Sequence, residues 1–101
     1  MIVVNVSTTG ITVDGHAGYA EIGKDIICAA VSVLAQGLVH SLEALTDDKI
    51  SYHISNGHID INYKNLSDKG CILVDSFFIA VSDIQNAYGT EYVHVTVAKQ
   101  A

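Results

Sequence analysis

The chain has 101 residues, with 11 acidic and 5 basic side chains, and its formal net charge is −6 at pH 7. Half of the residues are hydrophobic and only 16% are charged, which excludes an intrinsically disordered chain, because such chains are rich in charge and poor in apolar residues. This length predicts a single domain over residues 1–101. So few basic side chains argue against direct binding of nucleic acid, which needs clustered Lys and Arg.

The sequence also carries signals about location and assembly. The first residues have neither a positive segment nor a long apolar one, unlike a signal peptide. Residues 26–31 form the longest unbroken apolar run, far below the ~20 residues that cross a membrane. We therefore expect a cytoplasmic protein without membrane contact, with no cofactor and with reduced cysteines. So much apolar sequence on a short chain favours a homodimer.

The chain opens with the pattern of a β-hairpin. Alternating apolar residues predict strands over residues 2–6 and 11–13, with a turn at residues 7–10 between them. Residues 15–24 contain three glycines and follow no period, so we predict a loop there.

The next segment has the pattern of a helix. From Asp25 to about Leu45, apolar residues recur every three or four positions, which predicts a helix with Asp25 as its N-cap. Its polar residues form one narrow seam and the rest of its circumference is apolar, so we predict that the helix is mostly buried. The seam consists of Asp25, Cys28, Ser32, Gln36, His40 and Glu43.

A second hairpin is predicted in the middle of the chain. Alternating runs over residues 50–55 and 58–63 flank Asn56-Gly57. Asn-Gly between such runs predicts a two-residue type I′ turn, because both residues tolerate positive φ. The resulting register pairs His53 with Asp60 and Ile54 with Ile59.

The remaining elements complete the fold prediction. We predict an amphipathic helix over residues 68–87, ended by Gly89, and a last strand over residues 92–97. The order ββαββαβ predicts a two-layer α+β fold, in which two helices cover one face of a largely antiparallel five-stranded sheet. From the second strand onward this order also matches a ferredoxin-like split βαβ, which stays open as a topology.

The glycine-rich loop fits one nucleotide-binding motif superficially. Residues 18–24 read G-x-x-x-x-G-K between a strand and a helix. A P-loop has Ser or Thr at the next position to hold Mg²⁺, whereas this chain has Asp25, whose carboxylate repels phosphate. We therefore do not expect a nucleotide site.

A thiol is the stronger candidate for chemistry. With Asp25 as the N-cap, Cys28 lies in the first helical turn, where free N–H groups and the helix dipole favour a thiolate. His16 lies twelve residues earlier, in a loop that can fold an imidazole toward the thiol, as nucleophilic catalysis requires. Core packing of a small buried cysteine is the competing interpretation, and the spacing alone does not separate the two.

Other reactive side chains carry weaker signals. Cys71, in an apolar part of the second helix, is predicted to pack in the core. His53, His58 and Asp60 lie together on one hairpin face, but we favour a solvated face over a metal site, because no fourth ligand is apparent.

The motif around the thiol resembles one known family. Residues 15–18 read G-H-x-G, and residues 23–32 read G-x-D-I-x-C-A-A-x-S. At this spacing the sequence resembles the ribosomal-processing cysteine protease family, known as Prp, over the whole length of the chain. The resemblance implies a dimeric α/β protein of Gram-positive and related bacteria. It also implies a peptide substrate, the N-terminal extension of large-subunit ribosomal protein twenty-seven, which the protease removes.

The same resemblance assigns roles to individual residues. Cys28 matches the nucleophile and His16 the general base, while Asp25 and Ser32 match positions that line the site. We expect helix-start N–H groups to stabilise the oxyanion, and we favour a capping role for Asp25 over one that orients His16. Gly15, Gly18 and Gly23 are possible substrate-site residues, and we hypothesise that they let the loop close over a bound peptide.

Two alternatives from other classes stay open. The first is a non-catalytic dimeric module that binds a basic ribosomal protein surface through the same cleft. The second is a thiol redox protein, which is disfavoured because the chain contains no C-x-x-C motif.

Overall fold

Seven elements follow one another in a computed structural model, which describes residues 1–21 and 24–98. The order is ββαββαβ, and the predicted order and α+β class are confirmed. The elements are β1 (Ile2–Val6), β2 (Gly10–Asp14), α1 (Ile26–Leu45), β3 (Ile50–Ser55), β4 (His58–Tyr63), α2 (Asp68–Tyr88) and β5 (Val93–Val97).

The five strands form one sheet in the order β3-β4-β2-β1-β5. Neighbouring strands in this sheet are antiparallel, except for β1 and β5, which run parallel. The predicted largely antiparallel sheet is therefore confirmed. A ferredoxin-like sheet would pair β2 directly with β5. Here β1 lies between them and separates the two strands, so the ferredoxin-like topology applies only with this extra central strand.

The second hairpin has the predicted register but a different turn. His53 pairs with Asp60 and Ile54 with Ile59, as expected. Of the two turn residues, only Gly57 has positive φ, at 76°. A type I′ turn needs positive φ at both central residues, so that prediction was wrong. The two-residue loop and the alternating apolar pattern are enough to set the register without a type I′ turn.

The hydrophobic core lies between one face of the sheet and the two helices. Alternate residues of β1, β2 and β4 point into it, because successive strand side chains face opposite sides of a sheet. The edge strand β3 stays largely exposed on both faces. The largest fully buried side chains are Ile11, Ile27, Leu42, Ile61, Val4, Val31, Val39, Val81 and Val93.

Helix α1 is less buried than its composition predicts. It rests on the sheet through the side that contains Ile27, Val31 and Leu42, while Val33 on the opposite side is 69% exposed. The prediction of a mostly buried helix was therefore wrong for the single chain, because one layer of sheet covers only one side of a helix. By length and composition α1 is long and apolar enough to cross a membrane. Core helices of soluble proteins have the same length and composition, so this feature carries little weight.

Candidate active site

One cavity brings the two sequence-predicted reactive residues together. It has a volume of about 300 Å³ and lies between the first half of α1, the segment that follows β2, and the β3–β4 turn. We call it the site cavity. Both His16 and Cys28 line it, as do Gly15 and Ser32. Gln36 and the turn residues 55–57 also line it; we had not predicted them, although Gln36 belongs to the polar seam of α1.

Asp25 organises the entrance to α1. Its Oδ1 accepts hydrogen bonds from the N–H groups of Ile27 and Cys28, both at 3.0 Å, which makes it the predicted N-cap. Its Oδ2 accepts from Tyr19 at 2.9 Å and from Ala20 at 3.2 Å. One carboxylate that is only 8% exposed thus joins the helix start to the preceding loop.

These four hydrogen bonds decide the charge of Asp25. Burial by itself raises the pKa of this carboxyl, but the four N–H donors outweigh burial and hold the pKa below its ordinary value. The ionised carboxylate uses both oxygens on backbone N–H groups, and no hydrogen bond joins it to His16 among the described residues. The geometry therefore fits a cap and not an orienter of the histidine.

The same bonds remove two expected oxyanion donors. The N–H groups of Ile27 and Cys28 lie at the helix start, where we expected donors for a developing oxyanion, but Asp25 accepts both. A different donor reaches the thiol. The N–H of Ala17 lies 3.2 Å from the Sγ of Cys28, and a donor in this position stabilises negative charge on the sulfur.

Cys28 combines partial burial with access to the site cavity. Its thiol is reduced and its side chain is half-buried at the core edge. The other cysteine, Cys71, is exposed, so the prediction of core packing was wrong for it. The reason lies in the helix period: the buried stripe of α2 runs through Gly70 and Val74, which turns Cys71 outward.

His16 is held through its backbone, and its ring lies on the hairpin turn. The Met1 amino group donates to the His16 carbonyl oxygen at 2.6 Å. The ring covers Gly57, where a Cβ would stand 3.0 Å from the His16 Nε2. A side chain at residue 57 would therefore displace the imidazole. No hydrogen bond joins His16 to Cys28 within the described ranges.

The loop that carries His16 is fastened at several points. The Gly15 N–H donates to the Gly57 carbonyl oxygen at 2.9 Å, and Ala17 is buried. The Tyr19 ring stands edge-on to the rings of Tyr88 and Tyr92, with centroids 5.7 and 5.3 Å away. Backbone and ring contacts therefore hold residues 15–19 against the β3–β4 turn and the end of α2.

Two of the predicted glycines can be placed in this loop. Gly15 and Gly18 both have positive φ, at 97° and 70°, a conformation that glycine adopts without strain. Gly15 lines the site cavity. Gly23 lies outside the described residues.

Ser32 extends the site along α1. It lies one helical turn beyond Cys28, and its Oγ accepts a hydrogen bond from the Gln36 Nε2 at 2.8 Å. Both side chains line the site cavity, so together they offer a polar wall to a bound peptide.

The histidine cluster on the second hairpin is an ion-pair cluster. The His58 ring faces the Asp14 carboxylate through Nδ1 and the Asp60 carboxylate through Nε2, the latter at 2.9 Å. Hydrogen bonding to Asp14, and next to Asp60, raises the pKa of His58. No group of three or more side chains suited to a metal occurs within residues 1–21 and 24–98. The polar face of the hairpin therefore carries a hydrogen-bonded cluster of His58 with the Asp14 and Asp60 carboxylates.

Comparison with known proteins places the chain in a family. The family model described as cysteine protease Prp matches residues 1–94. The ribosomal processing cysteine protease Prp of Staphylococcus aureus is 29% identical over 83 residues, covering 79% of this chain and 78% of that protein. The protein of the same name from Mycoplasma genitalium is 44% identical over 52 residues, covering 52% and 50% of the two chains.

A solved structure agrees with the fold described above. The crystal structure of an essential ribosomal processing protease Prp from S. aureus, in complex with a covalently linked product peptide, superposes with a TM-score of 0.90. The two chains are 24% identical over 97% of this chain and 100% of that one. With a family model that covers nearly the whole chain, this protein belongs to the Prp family of cysteine proteases.

Proposed function

We propose that this protein is an endopeptidase that removes the N-terminal extension of large-subunit ribosomal protein twenty-seven, with Cys28 as nucleophile and His16 as general base. The observation that carries the proposal is that His16 and Cys28 line one cavity, while the Ala17 N–H donates to the Cys28 sulfur. Similarity to the ribosomal processing cysteine proteases of S. aureus and M. genitalium supports ribosomal processing as the cellular role.

The proposed chemistry follows the logic of a thiol nucleophile. His16 accepts the thiol proton, and the Cys28 sulfur attacks the scissile carbonyl carbon to form a tetrahedral intermediate. His16 then gives the proton to the leaving amine, which leaves a thioester on Cys28. A water molecule attacks the thioester while His16 takes the water proton. The C–S bond then breaks, the new carboxyl forms, and the departing thiolate regains the proton from His16.

The residues around the dyad have supporting tasks. Asp25 keeps the helix start and the loop together, which holds Ala17 against the sulfur. The N–H of Ala17 then stabilises the thiolate before attack. Ser32 and Gln36 supply hydrogen-bonding groups for the peptide backbone on the far side of the cavity.

The net charge fits the proposed substrate. A chain with a formal charge of −6 attracts an extension that leads into a basic ribosomal protein. The same charge supports the absence of direct nucleic acid binding, and we propose a cytoplasmic location without membrane contact. Because steering of this kind is screened by salt, kcat/KM should fall as ionic strength rises.

We also propose that the protein is a homodimer. The helix layer leaves large apolar side chains in solvent, among them Val33, Ile72 and Ile79, each at least 60% exposed. Apolar side chains that cluster on a monomer surface are typical of an interface. Sedimentation equilibrium tests the dimer, and Val33→Lys should shift the chain toward monomer if the outer side of α1 takes part.

Mass spectrometry of the ribosomal precursor tests the activity. Wild-type protein should shorten the precursor, and Cys28→Ala and His16→Ala should each lower the rate by ~10³ or more. Cys71→Ala is the matched control and should cleave like wild type, because Cys71 lies outside the site cavity. If wild-type protein binds the precursor and leaves it intact, the non-catalytic binding module replaces the enzyme.

A further inference from the structure

The Asp14–His58 pair lies at the end of the β2–β4 ladder, next to the segment that carries His16. Asp14, the last residue of β2, pairs with His58, the first residue of β4. Their side chains meet on the sheet face away from the helices. His58 is also one of the residues that line the site cavity, but neither Asp14 nor His58 has an assigned catalytic role. We call the two residues, with Asp60 on the other nitrogen of His58, the ladder-end cluster.

The residue next to each member of this pair, just beyond the end of its strand, lines the site cavity. Gly15 follows Asp14 and donates its N–H to the carbonyl oxygen of Gly57, which precedes His58. The His16 ring lies on Gly57. The distance between the segment that carries His16 and the Gly57 backbone under its ring therefore depends on how the ladder-end cluster holds the two strand ends together.

The charges of the ladder-end cluster favour close contact between the ends of β2 and β4. Both ring nitrogens of His58 face carboxylate oxygens, an arrangement that is fully satisfied only when the imidazole is protonated and both nitrogens donate. Two further titratable groups lie nearby: His53 on β3, whose ring centroid is 6.5 Å from that of His58, and His16, whose ring lies on Gly57. The side chains of Asp14, His58 and Asp60 are partly exposed, so the cluster can be altered without opening the core.

We propose that Asp14 and His58 are positioning residues for His16, because their ion pair fixes the separation of Gly15 from Gly57 and thereby the place of the imidazole at the site cavity. The catalytic part of this inference rests on the proposed function. The structural part, the support of the His16 ring on Gly57, stands without it.

Steady-state kinetics on the ribosomal precursor tests the catalytic part. We expect His58→Gln to lower kcat by about tenfold, less than the ~100-fold cost of a 1 Å misplacement, with little change in KM. His58→Lys keeps a positive charge between the two carboxylates and should restore most of kcat. His53→Gln is the matched control on the same face and should leave kcat unchanged, since His53 does not line the site cavity.

NMR tests the structural part even if the protein proves not to be a protease. In wild type and His53→Gln, nuclear Overhauser contacts should join the His16 ring protons to the Gly57 α-protons. These contacts should weaken in His58→Gln and return in His58→Lys. Asp14→Asn serves as the second variant if His58→Gln does not fold. Unchanged contacts in His58→Gln or Asp14→Asn overturn the proposal, whatever the activity. A loss of contacts without a fall in kcat overturns the catalytic part and leaves the structural part standing.

Discussion

The backbone N–H of Ala17 donates a hydrogen bond to the Sγ of Cys28 over 3.2 Å. Ala17 follows the proposed general base directly and is itself only 3% exposed. The loop residue that reaches the sulfur is thus anchored in the core. This contact ties the position of His16 to that of the thiol.

The first prediction concerns the relative reactivity of the two cysteines. Cys71 is exposed and Cys28 is half-buried, so access alone favours alkylation of Cys71. The Ala17 N–H donates to the Cys28 sulfur and favours negative charge on it, and we expect iodoacetamide to modify Cys28 first. Peptide mapping after short exposure at neutral pH measures both rates, with Cys71→Ser as the control. Faster labelling of Cys71 would contradict an activated Cys28.

The second prediction concerns the cap of α1. Asp25→Ala removes the acceptor of four backbone N–H groups, and we expect the free energy of unfolding to fall by about 2 kcal/mol. Ser67 caps α2 by accepting only the Gly70 N–H at 3.1 Å, so Ser67→Ala should cost about 1 kcal/mol. Urea denaturation measures both values.

The alkylation rate of Cys28 further distinguishes the roles of the two capping residues. Asp25→Ala should change the alkylation rate of Cys28, because the loop and the helix start lose their common anchor, whereas Ser67→Ala should not. Equal effects of the two variants on this rate would show that Asp25 acts on stability alone.

The third prediction concerns acid. The folded state holds the pKa of Asp25 below its ordinary value of 3.8. The contribution of Asp25 to stability is therefore fully present above that value and is lost as the pH falls through the lowered folded pKa. Urea denaturation between pH 5 and the acid transition should show a steeper loss for wild type than for Asp25→Asn. Parallel curves would mean that Asp25 titrates alike in both states.

The fourth prediction concerns His58 and alkaline pH. The folded state raises the pKa of His58 above its ordinary value of 6.5. The stability that the charged ring contributes is fully present below that value and is lost as the pH rises through the raised folded pKa. The difference in unfolding free energy between wild type and His58→Gln should shrink over this range. Parallel pH profiles of wild type and His58→Gln would contradict this linkage.

The fifth prediction concerns the aromatic fastening of the loop. Tyr19→Ala removes the edge contacts with Tyr88 and Tyr92, and we expect a loss of about 1 kcal/mol together with faster amide exchange at residues 19 and 20. Tyr52→Ala is a matched control, since Tyr52 is 45% exposed and Tyr19 44%. If both variants exchange alike at residues 19 and 20, the ring contacts do not order the loop.

The sequence alone predicted those parts of the fold that depend on neighbouring residues. Strand alternation and helical period placed all seven elements, and the two-residue loop at Asn56-Gly57 set the register of the second hairpin. The motif around His16 and Cys28 identified the family. These signals are short-range, because backbone geometry turns residue spacing into a shared face or a paired position.

Other features were decided only by the tertiary structure. The insertion of β1 between β2 and β5 joins strands from the two ends of the described chain, and no local period reports such a pairing. The same holds for Cys71, whose exposure depends on which side of α2 meets the sheet. It also holds for the His16 ring on Gly57 and for the Asp14–His58 pair. Contacts between distant segments are selected by the packing of the whole core, so residue spacing could indicate the reactive pair but not its supports.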